Sequence, residues 1–469
     1  MSNSVPELIN IKSAPLGSAQ KVETDVLEPL TFSDTEALWE FQPKGFLHPQ
    51  STLIIGFQDN ANIPGAFPYI NVGIHSLVSR AVLRTSAGRV ICDTSSWGHL
   101  ESIKSMFINN ITNTNREQYL NGRMINYQSG LTFDTTNNVY DNNKSSGYLL
   151  ENGLEINVAT GDDQGLSPLQ HLKHSAKSTL QIKLHDLFPY MKSGNQLPLF
   201  LLPNERIQVQ LYWTPTANRV ALPSSLNGQS QQPLLLDRSK CKIYGDYVFY
   251  DEKIMEAERK EYESGKAFEY IDYLLNTTLK SNAEIELNSI INVGGAGRMV
   301  NKVYYSVRDP NGNDLDLIGS YNSMSTDDNG NSKYIATSNL FVNGNFVYPR
   351  DVSNFATHFH NLKEAGGMVP FVSRGCYSGE GKRAISDEAI GEFAGRGLRG
   401  EIADKFFAQG VDLRGMNQRI DQKGIDIHLK DWDMVDITGQ AKTNFDISTW
   451  LEVRRYLVIE DGHLECYFV

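Results

Sequence analysis

Ile207-Gln208-Val209-Gln210-Leu211-Tyr212-Trp213 alternates apolar and polar residues almost without error. A period of two sends successive side chains to opposite faces, so this stretch reads as a β-strand with one buried face. Leu154-Glu155-Ile156-Asn157-Val158 and Leu180-Gln181-Ile182-Lys183-Leu184 obey the same rule. Between Leu184 and Ile207, Leu187-Phe188-Pro189-Tyr190-Met191 reads as a short helical turn plugging the end of a sandwich. Upstream, Leu53-Ile54-Ile55-Gly56-Phe57 is a strand signal. Leu77 to Leu83 and Arg89-Val90-Ile91-Cys92 flank the turn Thr85-Ser86-Ala87-Gly88 as a hairpin. The stretches 108–150 and 214–238 are rich in Asn, Ser, Gln and Gly and read as surface insertions.

Downstream, the chain changes period once. Asp251-Glu252-Lys253-Ile254-Met255-Glu256-Ala257-Glu258-Arg259-Lys260-Glu261-Tyr262-Glu263 is a charged helix stopped by Ser264-Gly265. The strand pattern then restarts with Ile285-Glu286-Leu287, Lys302-Val303-Tyr304-Tyr305-Ser306-Val307, the turn Asp309-Pro310-Asn311-Gly312, and Leu315-Asp316-Leu317-Ile318. It closes with Leu451 to Ile459 and Leu464 to Phe468 around Asp461-Gly462. Each half runs from early strands through a Gly-containing hairpin and a helix-capable stretch (97–107; 351–363) to irregular loops and strong final strands. The pattern predicts an all-β fold, two similar antiparallel sandwiches at about 41–250 and 251–469 joined by a short helix. A parallel α/β enzyme would need a helix between every strand pair. Residues 1–40 mix Pro, Ser and Thr with scattered apolar residues and read as an extended arm whose partner could be a neighbouring subunit.

Composition agrees. A chain of 469 residues exceeds the ~250–300 that one core usually serves, so two domains are expected. The net charge of −12 argues against a surface that neutralises phosphates directly, because such surfaces cluster Lys and Arg. Cys92, Cys241, Cys376 and Cys466 lie far apart without CxxC spacing and read as free, buried thiols. The N-terminus lacks a basic and apolar leader, and no stretch approaches the ~20 apolar residues of a membrane span, so a soluble compartment is expected. The sequons at Asn110, Asn143 and Asn276 read as chance in so Asn-rich a chain.

Several segments together resemble the double jelly-roll major capsid proteins of nucleocytoplasmic large DNA viruses and, more closely, of polinton-like viruses and virophages. They are Val72 to Leu83 followed by Gly88-Arg89-Val90-Ile91-Cys92-Asp93; Leu197-Pro198-Leu199 running into Ile207 to Trp213; Gly245-Asp246-Tyr247-Val248-Phe249-Tyr250-Asp251 before the acidic helix; and Arg455 to Gly462 with Leu464 to Phe468. The likeness lies in the ordered set, which covers most of residues 45–469. The stretches 1–40, 108–150 and 320–350 match no pattern of the family. The resemblance implies two consecutive eight-stranded jelly rolls and a homotrimer forming a pseudo-hexameric capsomer. It also implies an icosahedral shell around a double-stranded DNA genome, with neighbouring capsomers, penton and minor capsid proteins as partners. The implied location is the virion, assembled inside the infected host cell, with no direct sequence-specific nucleic-acid binding.

Other constellations carry weaker chemistry. His358-Phe359-His360-Asn361-Leu362-Lys363-Glu364 has the His-x-His-x3-Glu spacing by which cupins hold a divalent ion, but the flanking elements of that motif are missing. His171-Leu172-Lys173-His174 has no adjacent Glu. Gly294-Gly295-Ala296-Gly297-Arg298 lacks the Lys-Ser/Thr of a phosphate loop and reads as a turn between strands. Gly391, Gly395, Gly397 and Gly400 with Arg396 and Arg399 read as an exposed loop, and Ser373-Arg374-Gly375-Cys376 is no nucleophile elbow. No catalytic, cofactor or metal residue is therefore assigned. A two-domain cupin-like metalloenzyme and a carbohydrate-binding β-sandwich protein stay open as alternatives.

Overall fold

The computed structural model describes residues 21–58, 77–108, 179–192, 196–216, 235–281, 289–308, 337–351, 408–416, 418–430 and 444–469, with short stretches between them. The first half contains β1 (Lys21–Leu27), β2 (Thr31–Phe32), β3 (Glu36–Glu40), β4 (Phe46–Leu47), β5 (Thr52–Ile55), β6 (Val78–Thr85) and β7 (Val90–Ser95), then helix α1 (Trp97–Ile108). Four short strands follow: β8 (Phe133–Asp134), β9 (Val139–Tyr140), β10 (Tyr148–Leu149) and β11 (Glu155–Ile156). The half continues with β12 (Leu180–Lys183), the helical turns α2 (Leu184–Leu187) and α3 (Pro189–Lys192), β13 (Leu197–Pro198), β14 (Ile207–Trp213) and β15 (Lys242–Phe249). Two antiparallel sheets form the main sandwich: β12-β5-β15-β4-β13, with β1 also paired to β15, and β2-β3-β14-β6-β7. Ile207, Val209, Leu211 and Trp213 of β14 are buried, as their alternation requires, against Trp39, Leu53, Ile55, Leu83, Ile182, Ile243 and Tyr247. The turns α2 and α3 bury Leu187, Phe188, Tyr190 and Met191 in this core, as the sequence predicts.

Residues 21–40 differ from the expected arm, because they form β1, β2 and β3 of the first sandwich. Their alternation is reversed in hydrophobicity. Val22 and Val26 of β1 face solvent while Glu23 and Asp25 lie half-buried, both paired to Lys44 Nζ at 3.1 and 2.9 Å. A strand that places acids on its inner side leaves little apolar signal in the sequence. Residues 1–20 lie outside the described residues.

Helix α4 (Glu252–Glu263) links the halves, with the Asp251 side chain accepting from Lys253 N at its start and Gly265 at a φ of +90° just beyond its end. The second half contains β16 (Ala267–Ser281), β17 (Ser289–Asn292), β18 (Val300–Arg308), β19 (Met324–Thr326), β20 (Ser332–Tyr334), β21 (Thr337–Val342) and β22 (Asn345–Phe346). After these come β23 (Ala408–Asp412), β24 (Ile425–Lys430), β25 (Asn444–Glu460) and β26 (His463–Phe468). The sheets β16-β25-β18-β23, with β26 also paired to β25, and β17-β24-β21-β22 enclose Val303, Tyr305, Leu340, Val342, Ile427, Leu429 and Leu451. The glycines at 294, 295 and 297 all adopt positive φ in the turn between β17 and β18, where Gly295 packs against Leu451.

The two sandwiches share strands. β16 and β25 pair along 15 residues, from Ala267↔Val458 to Ser281↔Asn444. One end of that ribbon sends Ile447, Leu451 and Val453 into the second core; the other sends Phe268, Tyr270, Leu457 and Ile459 into the first.

Candidate functional site

The shared ribbon brings charged side chains against the edge of β7, which would otherwise present unpaired backbone groups. Arg455 on β25 donates from Nη1 to the Ile91 carbonyl at 2.9 Å and from Nη2 to the Val90 carbonyl at 3.2 Å. The same guanidinium pairs with Asp272 Oδ2 on β16 at 2.7 Å. Asp272 Oδ1 in turn accepts from the backbone N of Tyr273 at 2.9 Å and of Asp93 at 3.4 Å, and the Tyr270 hydroxyl donates to Ile91 O at 2.8 Å. Burial pushes the Asp272 carboxyl up to about 6 although Arg455 lies beside it. Three side chains of the second half thus complete the hydrogen bonding of a strand in the first.

Around this centre the seam continues in both directions. Arg89 Nη1 donates to Leu464 O at 2.9 Å and pairs with Glu465 at 2.8 Å, while His463 Nδ1 lies 2.7 Å from the buried Glu205 carboxylate. Trp450 Nε1 donates to Ser95 O at 3.2 Å, and His99 of α1 packs edge-on against the Trp450 ring and lies 3.0 Å from Ser306 Oγ. Deeper along α1, Lys104 pairs with Glu101 and donates to the Tyr273 hydroxyl, which donates to Glu452 at 2.9 Å. Burial raises the Tyr273 hydroxyl well above its ordinary range, so it stays protonated as a donor. Such a network can fix the mutual orientation of two sandwiches; nothing in it offers an accessible nucleophile.

Exposed apolar residues lie on the ribbon and its hairpin, at Leu279, Tyr467 and Phe468, and on two surfaces away from the seam. Val22, Val26 and Leu30 lie on and beside the edge strand β1, with Tyr244 opposite Val26; Ile290 and Phe346 lie on the smaller sheet of the second sandwich. Phe346, Phe341 and His428 form one aromatic group there, with ring centroids 5.1 to 6.0 Å apart. Adjacent exposed apolar side chains mark candidate contact surfaces.

The sequence-level metal candidate, His358, His360 and Glu364, lies outside the described residues, as do His171, His174, Cys376 and the glycines at 391–400. Among the described residues no group of three or more potential ligands comes together. Arg298, considered with the glycine cluster, stacks on the Phe468 ring at 4.4 Å, and Arg455 covers the same ring at 4.8 Å. Cys92 and Cys241 are free and buried, with burial raising both thiols, Cys241 to about 11; Cys466 is free and half-buried. Sequence reasoning missed the Arg455–Asp272 pair. Both strands carry several charges, Glu269, Asp272 and Lys280 on β16 and Asp446, Glu452, Arg454, Arg455 and Glu460 on β25, so nothing in the sequence marks out this pair.

The chain matches no protein-family model and no curated protein. Its fold does match solved structures. It is similar to a chain of the PBCV-1 virus capsid, with a TM-score of 0.54 and 8% identity over 98% of this chain and 99% of that one. PBCV-1 VP54, fitted into a reconstruction of the virophage Sputnik, aligns with the same TM-score, identity and coverage. A chain of the Sputnik virophage aligns with a TM-score of 0.51 and 12% identity over 100% of this chain and 93% of that one. The class is therefore all-β and the particular architecture the double jelly roll.

Proposed function

We propose that this chain is a major capsid protein, a structural subunit rather than an enzyme. Three copies form a pseudo-hexameric capsomer, and capsomers tile an icosahedral shell around a double-stranded DNA genome. Its proposed partners are copies of itself, penton proteins and minor capsid proteins, and its place is the virion assembled inside the host cell. The proposed units are two jelly rolls that meet near residue 250.

The observation that carries this reading is the near end-to-end match of the double jelly roll to a viral capsid chain, 98% of this chain against 99% of that one. The seam supports it on mechanical grounds. A subunit that must present two jelly rolls as two corners of a hexagon needs a fixed angle between them, and the Arg455–Asp272 pair ties them across a shared ribbon. The net charge of −12 suits a shell that encloses nucleic acid without gripping it.

Light scattering on the purified protein tests the proposal. A particle of about 157 kDa, three times 52.5 kDa, with a hexagonal outline in negative stain is the expected result. A monomer at micromolar concentration carrying stoichiometric metal would overturn it.

A further inference from the structure

The end of α4, the loop after the Leu199–Leu201 turn, and the β25–β26 hairpin enclose a cleft of about 590 Å³. Its floor is largely apolar: Leu201, Tyr262 and Ile459 are buried, Phe200 is half-buried, and Pro203 stands exposed beside them. Gly462 closes one side, seated so that an added Cβ would lie 3.2 Å from Pro203. The rim is acidic. Glu263, Glu460 and Asp461 stand there, and Arg259 is the one opposing charge, its guanidinium held over the Phe200 ring at 6.0 Å. None of the three carboxylates forms an ion pair among the described residues, so the rim carries uncompensated negative charge.

The beginning of β1 lies close by. Lys21 pairs with Phe249, the Phe249 ring touches the Gly45 position, and Gly45 O accepts from the backbone N of Phe200 on the cleft floor. The described chain begins at Lys21, so residues 1–20 attach to it within reach of the cleft. They contain Leu8-Ile9-Asn10-Ile11-Lys12, apolar at 8, 9 and 11, ending in a cation and bracketed by Pro6 and Pro15. In extended form the nine residues from Lys12 to Lys21 span about 30 Å. Arg259 lies eight residues along α4 from Asp251, a rise of about 12 Å.

We propose that this cleft receives the chain's own N-terminal segment, with Ile9 and Ile11 on the apolar floor and Lys12 on the acidic rim. Apolar side chains in the floor and a cation against unpaired carboxylates satisfy both halves of the surface at once. Docking within one chain is favoured because the short tether holds the segment at high effective concentration.

Site-specific photocrosslinking on the full-length protein tests this, with Ile9→benzoylphenylalanine as the probe. The expected product keeps the mass of a single chain and joins residue 9 to peptides containing residues 199–203 or 459–462. Its yield should fall about fivefold in the exposed double variant E263K/E460K, the scale of two surface ion pairs, and recover when K12E is added. A crosslink to another surface, a product joining two chains, no crosslink, or a yield indifferent to the charge reversal would each overturn the proposal. Circular dichroism of each variant separates loss of docking from loss of fold, and the assembly state of the subunit is read independently.

Discussion

Arg455 sits where three demands meet: two orphan carbonyls at the edge of β7, a buried carboxylate, and the open face of the Phe468 ring. Removing it leaves the buried Asp272 carboxyl without its partner and the β7 carbonyls without its donors, which costs far more than losing an exposed pair would. Arg455→Ala should therefore destabilise the fold by about 3–5 kcal/mol, read as a lowered urea midpoint. The pH dependence has a defined sign. Asp272 titrates near 6 in the folded chain against 3.8 when solvated, so the folded state holds the proton more tightly. The stability tied to this group is fully present below about pH 3.8 and is lost as pH rises through about 6, amounting to roughly 3 kcal/mol. Urea midpoints of the wild type and Asp272→Asn should accordingly diverge between pH 4.5 and 7.5, the wild type losing more as pH rises. A constant difference would show that Asp272 keeps its ordinary affinity for protons. None of this could be read along the chain, because Asp272 and Arg455 lie 183 residues apart and only the ribbon joins them.

Among the elements, those whose hydrophobicity and turn chemistry agree were legible. The hairpin of β6 and β7, the alternation of β14, the helix α4 and the final turn at Asp461-Gly462, with φ of 51° and 75°, follow from local pattern alone. β1 was not legible, since its valines face out and its acids are neutralised by Lys44 from another segment. Burial of Glu258 under Lys266 was hidden for the same reason: α4 reads as solvated until the partner arrives from β16's approach. Turn glycines give a sharper test. Gly424 has a φ of +80°, and a Cβ there would come within 2.7 Å of Gly294 O, so two turns of the second sandwich touch backbone to backbone. Gly424→Ala should lower stability by about 2 kcal/mol or more, whereas Gly344→Ala, with open space around it and a similar φ of +83°, should cost only about 1. Thermal melts of the two variants side by side separate strain from collision; equal losses would mean the Gly424–Gly294 approach relaxes freely.

At the scale of the whole molecule, two sandwiches in sequence need not behave as one body, and domains with their own cores commonly melt apart. Here the division of labour within β16 and β25 argues against separate melting. Phe268, Tyr270, Leu457 and Ile459 belong to the first core, while Ile447, Leu451 and Val453 on the same ribbon belong to the second. Loss of the second sandwich would therefore strip side chains from the first, and would leave the Val90 and Ile91 carbonyls and the Ser95 carbonyl without their donors. The expected outcome is a single unfolding transition, with tryptophan fluorescence, far-UV circular dichroism and the calorimetric enthalpy all reporting the same midpoint at fixed protein concentration. Two resolved transitions would mean that the ribbon is a hinge between independent units, and the fixed angle that a hexagonal capsomer requires would then have to come from contacts between subunits.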